Sequence, residues 1–182
     1  MPNEPILLAA LIAPGSIESE LGKVQAALFS DHGLASAQAL PPLLPIAFLD
    51  AARAGRGLLL EMNGSVSRGW RMRLTGAVWA EEHLYAGVQS GGVWQTLRAR
   101  ALEICGSERS CLFPAAEGFY LGCGDASPEV RSRIRPAVPE ASFSSCTIAL
   151  LNVRTSVEGP EWWRDVSWEV VAERSLRGRK EP

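Results

Sequence analysis

Histidine is scarce in this 182-residue chain, which has only His32 and His83. A mechanism that needs two imidazoles would have to bring both of them together, and each is expected to be a surface residue. Lysine is equally scarce, two residues against 16 arginines, but 20 acids balance the 18 Lys and Arg, for a formal net charge of -2. Net charge therefore gives no support for bulk attraction to a polyanion. No apolar run approaches the roughly 20 residues that span a bilayer. The segment ahead of the first apolar run carries an acid and no Lys or Arg, unlike a signal peptide, so a cytoplasmic chain is expected. Of the four cysteines, Cys105, Cys111, Cys123 and Cys146, no pair has the short spacing with which thiolates grip zinc. They read as free, buried thiols, and no metal or cofactor is expected.

What is present is apolar: 47% of the residues are hydrophobic, enough for one domain of this length. Residues 1–176 read as that domain, with 177–182 as a basic, solvated C-terminal tail. "ILLAALIA" (6–13) has strand length and ends at Pro14-Gly15. Ser16 could cap the helix that follows, on which Ile17, Leu21, Val24 and Leu28 recur at helical spacing. His32 is expected in a loop. Residues 50–67 read as either a glycine-weakened helix or a loop. In "WRMRLTG", Trp70, Met72 and Leu74 alternate with Arg71, Arg73 and Thr75, a strand pattern. "HLYAGV" (83–88) is another strand, and Val93, Leu97, Ala101 and Ile104 mark a second amphipathic helix. "EGFYLGCG" (117–124) reads as a strand entering a glycine turn, Ser127-Pro128-Glu129 as a helix start, and two strands close the chain. The class is α+β. A strand–helix–strand order recurs in residues 1–50 and 83–124, and two such units side by side would form a sheet with a central groove suited to a ligand.

Familiar motifs fail on inspection. "APGSIESELGKV" has the wrong glycine spacing for a P-loop, and Val24 stands where a Ser or Thr should hold magnesium. "GCGDAS" lacks the third glycine of a dinucleotide fingerprint. Ser90 has Val88 rather than glycine two residues before it, so there is no nucleophile elbow. "ALPPLLPIAFLD" (39–50) reads as a strand with Pro45 in its middle. Proline removes a ladder hydrogen bond, so that strand must lie at an edge or carry a bulge.

The order of elements, with "SAQALPPLLPIAFL", "RMRLTGAVWAEEHLYAGV", "EGFYLGCGD" and "WRDVSWEVVAERSL", resembles the 2H phosphoesterase superfamily, which includes 2′-5′ RNA ligase-like proteins and cyclic phosphodiesterases. Members carry two His-x-Thr/Ser motifs, whose imidazoles act as general acid and base on a phosphodiester while the hydroxyls hold the phosphate. The resemblance implies a fold of two pseudo-symmetric lobes around a groove. It puts Leu43 and Pro45 at the first motif and Gly118 and Tyr120 at the second, 75 residues apart. Neither Leu43 nor Gly118 can transfer a proton, so the chemistry implied by the family is missing its acid and base.

The sequence thus points to a non-catalytic 2H-like protein that uses the groove or an outer surface for binding an unidentified small molecule, nucleotide or protein. Tyr120 is a candidate for stacking and Arg71 and Arg73 for meeting an anion. An enzyme of different chemistry built on Tyr120, Glu117 or His83 is one alternative, and a phosphoesterase with unrecognised catalytic residues is another. A subunit of an assembly, contacting its partner through a surface patch around Trp162 and Trp163, is the last.

Overall fold

A computed structural model describes residues 6–50, 54, 57–105, 112–124, 128–157 and 161–177. In chain order the elements are β1 (Ile6–Ile12), α1 (Gly15–His32), β2 (Leu43–Leu49), α2 (Leu58–Ser65), β3 (Met72–Ala80) and β4 (His83–Gln89). Then come α3 (Val93–Cys105), β5 (Gly118–Cys123), α4 (Pro128–Arg133), β6 (Ser142–Phe143), β7 (Ser145–Thr155) and β8 (Val166–Arg177). Single turns of 3-10 helix lie at Ala35–Gln38 and Trp162–Asp165. None of the described helices is long and apolar enough to cross a membrane.

The strands form two antiparallel sheets of four, ordered β2-β1-β7-β8 and β5-β4-β3-β6. The expectation of one sheet is corrected here: β2 and β5 approach each other, but as edge strands of different sheets. Each strand–helix–strand unit does pair its own strands directly, β1 with β2 and β4 with β5. Alternation of side chains fixes which face of a strand is buried but leaves its neighbour open.

The helices form where the spacing of apolar residues places them. Ile17, Leu21 and Leu28 are buried along α1, joined by Gln25. The helix starts at Pro14, without the Ser16 side-chain cap expected from the sequence, and His32 lies in its last turn rather than in a loop. Gly33 closes it in the left-handed region (φ 66°), its N–H donating to Phe29 O in an αL ending, while Leu34 N donates to Leu28 O. The ambiguous 50–67 stretch contains the short helix α2. Arg177 belongs to β8, opposite Ser145, so the expected tail begins one residue too early; residues 178–182 lie outside the described residues.

Two apolar clusters result. One joins α1, α2 and α3 to the outward faces of both sheets. The other contains no residue of the four α-helices: it joins the inward faces of the two sheets, with Leu43, Phe48, Tyr85 and Tyr120 among its members.

Pro45 owes its place to the edge and to a bulge together. β2 is the outermost strand of its sheet. Its register shifts so that Ala10 faces Pro45 while Ala9 faces Ala47, leaving Ile46 as the extra residue. From α3, Trp94 Nε1 donates to Pro45 O at 2.8 Å and an Arg98 guanidinium N–H donates to Ile46 O at 2.6 Å. The helix thereby covers an edge that would otherwise expose unpaired carbonyls.

Candidate functional site

The motif-equivalent positions fall in and around the inter-sheet cluster. Leu43 and Tyr120 both belong to it, and both are fully buried. Pro45 and Gly118 are also buried. Tyr120 O–H donates to Ser36 O at 3.3 Å, and its own carbonyl accepts from Gln25 Nε2 at 3.2 Å. Ser36 reaches the same strand end from the 3-10 turn, donating to Cys123 O and accepting from Cys123 N. Burial pushes the Tyr120 phenol well above its ordinary pKa, so it is a neutral hydroxyl at physiological pH.

Glycine at position 118 is required by space. A Cβ there would lie 2.8 Å from Tyr85 Cβ and 2.9 Å from Ala86 O. The residue forms one end of a row of glycines across three strands, Gly76 opposite Gly87 and Gly87 opposite Gly118.

Aromatic rings fill the cluster. Phe113, from the irregular segment before β5, stands edge-on to Phe48 (centroids 5.1 Å apart, 83° between planes). It lies 5.1 Å from Tyr120 and 5.2 Å from Trp162. Tyr85 meets Tyr120 at 6.3 Å in a T-shaped arrangement and donates its hydroxyl to Pro114 O at 2.7 Å. No pattern in the sequence distinguishes Phe113. Trp162, expected at the surface, is entirely interior; only Trp163 is partly exposed, with Arg164 over its ring at 5.5 Å. Large apolar side chains are exposed instead at Trp168, Val170 and Val171 on β8, and singly at Phe29, Leu60 and Val78.

His83 adjoins this cluster rather than the surface. It pairs with Cys123 across β4 and β5, and its ring lies 5.9 Å from Phe113 and 6.5 Å from Tyr85. Only 9% of the residue is exposed, and neither ring nitrogen has a hydrogen-bond partner among the described residues. Desolvation lowers its pKa from 6.5 to about 4; Glu82 opposes that shift and Arg131 adds to it. At neutral pH this is an uncharged imidazole.

The other candidates are dispersed. The Glu117 carboxylate accepts from both the backbone N–H and the hydroxyl of Ser90 and from Gln95 Nε2. Ser90 Oγ in turn accepts from Trp94 N, so Glu117 braces the start of α3. Arg73 is exposed, donates to Gln89 at 3.4 Å, and borders a cleft of about 570 Å³ with Thr75, Glu140 and Ser142. Arg71 lines a separate cleft of about 300 Å³ with Arg68, Ser90 and Thr96. The two arginines thus line different clefts among the described residues. Among the described residues no group of His, Cys, Asp or Glu could hold a metal ion.

No family model matches the chain, and no curated protein matches it by sequence. Solved structures match by fold. The Thermus thermophilus protein TT0787 superposes with a TM-score of 0.64 at 18% identity, covering 96% of this chain and 100% of that one. Escherichia coli LigT, in apo form, gives 0.56 at 17% identity over 96% and 99% of the two chains. A protein described as a phosphoesterase gives 0.60 at 16% identity over 95% and 99%. The chain therefore has the α+β fold of 2H phosphoesterase-like proteins. LigT structures are also known with 3′-AMP, NADP+ and ATP.

Proposed function

We propose that this chain is a catalytically inactive 2H phosphoesterase-like protein that serves as a binding module for a nucleotide-type ligand. The observation that carries the first half is the content of positions 43, 45, 118 and 120. Leu, Pro and Gly cannot transfer a proton, and Tyr120 is buried and held protonated. Each missing acid or base would contribute about 10²–10⁴-fold. The nucleotide complexes of LigT support the ligand class, as does an inter-sheet cluster rich in aromatic rings, which stack on bases. A cytoplasmic setting suits the buried side chains of Cys105, Cys123 and Cys146; Cys111 lies outside the described residues.

The purified chain should not hydrolyse 2′,3′-cyclic nucleotides or join RNA ends above a buffer control. Hydrolysis that disappears in His32→Ala or His83→Ala would overturn the inactive assignment.

A further inference from the structure

The longest described strand is also an edge. β8 runs for 12 residues, Val166–Arg177, with β7 on one side and no described strand on the other. A row of backbone donors and acceptors of that length is a ready template for another strand, and short edges or inward-pointing charges usually blunt it. β8 instead keeps Trp168, Val170 and Val171 exposed at its middle. A bulge there sets the faces. Val170 stands opposite Leu151 and Ala172 opposite Leu150, which leaves Val171 as the extra residue. Glu169 therefore shares a face with Arg174, since their partners Asn152 and Ile148 lie an even number of residues apart on β7. In a regular strand these two charges would point to opposite faces. Both side chains are exposed. Asn152 Nδ2 donates to one oxygen of Glu169 at 3.2 Å, and the carboxylate has a second with which to meet an arginine.

We propose that β8 is the contact edge of a symmetric dimer, pairing antiparallel with β8 of a second copy so that two four-stranded sheets become one continuous sheet. Charge selects a second copy as the occupant. A two-fold axis at Ala172 sets that residue against itself, Val170 and Val171 against Glu173, Glu169 against Arg174, and Trp168 against Ser175 of the second copy. By symmetry the Glu169–Arg174 pair forms twice. Trp168 lies diagonal to Arg177 of the second copy, within reach of a contact between ring and guanidinium. An axis at Glu173 would set that carboxylate against its own copy, and an axis at Val170 would bring no opposite charges together. Only the register centred on Ala172 satisfies the charges. The interface is independent of the ligand-binding role proposed above.

The unaltered chain should sediment as a dimer at high micromolar concentration. Glu169→Arg and Arg174→Glu each set like charges opposite one another twice, and each should weaken the dimer at least about tenfold. An equimolar mixture of the two variants should dimerise again, because each altered side chain then meets its opposite in the other chain. Misfolding of either variant would not be cured by mixing, so this rescue separates pairing from structure. Ala172→Cys should form an intermolecular disulfide on mild oxidation, since residues paired at the axis have Cα atoms about 4.5–5.5 Å apart. Val166→Cys should not, and the unaltered chain, whose described cysteines are buried, is the control. A monomer at high micromolar concentration, whatever other strand it captures, overturns the proposal. So do a dimer that both single variants leave intact, a mixture that stays monomeric, and crosslinking through Val166→Cys in place of Ala172→Cys.

Discussion

Replacing His83 by phenylalanine should flatten the acid limb of the stability curve. The fold holds this imidazole neutral, with its pKa at about 4 against 6.5 in the unfolded chain. Above pH 6.5 both states are neutral and the difference contributes nothing. As pH falls from 6.5 to about 4 the unfolded chain takes up a proton that the folded chain refuses, so stability drops across that window and levels off below it. At about 1.36 kcal/mol per pKa unit the full difference is about 3 kcal/mol, and the ring's residual solvent contact reduces it to about 2 kcal/mol. The groups bearing on the ring are Glu82, Arg131, Cys123, Tyr85 and Phe113. Carboxylates titrate in the same range, so the informative quantity is wild type minus His83→Phe. Urea unfolding followed by the fluorescence of the six tryptophans, at pH 7, 6, 5 and 4.5, would give that difference directly. At pH 7 the variant should be more stable by about 1 kcal/mol, since two unpaired ring nitrogens leave the interior. Parallel curves for the two proteins would refute the reasoning, because they would mean that His83 has solvent or a partner when folded.

Gly118→Ala should destabilise the fold by about 2 kcal/mol through overpacking against Tyr85 and Ala86, measured by urea midpoint; a neutral change would mean that β5 can shift freely. Glu117→Ala should cost about 1–2 kcal/mol by leaving the Ser90 N–H and hydroxyl without their acceptor and so loosening the Ser90 Oγ that caps Trp94 N, with amide exchange accelerated first around Ser90–Trp94. Combining Leu43→His, Pro45→Thr, Gly118→His and Tyr120→Thr should give no cyclic-nucleotide hydrolysis, because the Cβ at 118 has no room and Phe113 and Trp162 still fill the groove. Turnover by that variant would show the groove to be far more compliant than its packing implies.

Much of the fold was legible because local chemistry settled it. Pro45 lacks an amide donor, so the sequence alone demanded an edge or a bulge, and β2 has both. The apolar stripes of α1 and α3 placed Ile17, Leu21 and Leu97 on buried faces. The division into two sheets was not legible, because a period of two residues reports a face and says nothing of the neighbouring strand. The interior polar ties were hidden for a similar reason. Gln25 looks like an ordinary helix-surface residue until Leu40 O and Tyr120 O converge on its amide. Glu117 has the look of a ligand contact, yet its carboxylate is spent on Ser90 and Gln95, tying the approach to β5 to the start of α3. Phe113 and Trp162 come from irregular segments, where no periodicity exists to say that a ring points inward.

The groove's packing and its proposed loss of chemistry are one physical fact seen twice. General acid–base catalysis needs a group whose pKa lies near the working pH. His83 demonstrates what this interior does to an imidazole: without a partner and out of water, it titrates at about 4. Any imidazole placed beside Phe48, Phe113 and Trp162 would meet the same desolvation, which favours the neutral form. Hydroxyls fare no better, since burial already drives Tyr120 and Tyr85 upward. The aromatic rings that make the two sheets cohere are thus the same groups that remove water and counter-charge from the inward faces. A phosphodiester carries a negative charge that would have to be desolvated to enter between these apolar side chains. A neutral, flat ring is under no such penalty. The chemistry of the cluster therefore selects against the phosphate of a nucleotide entering between the sheets and leaves the base as the part that can.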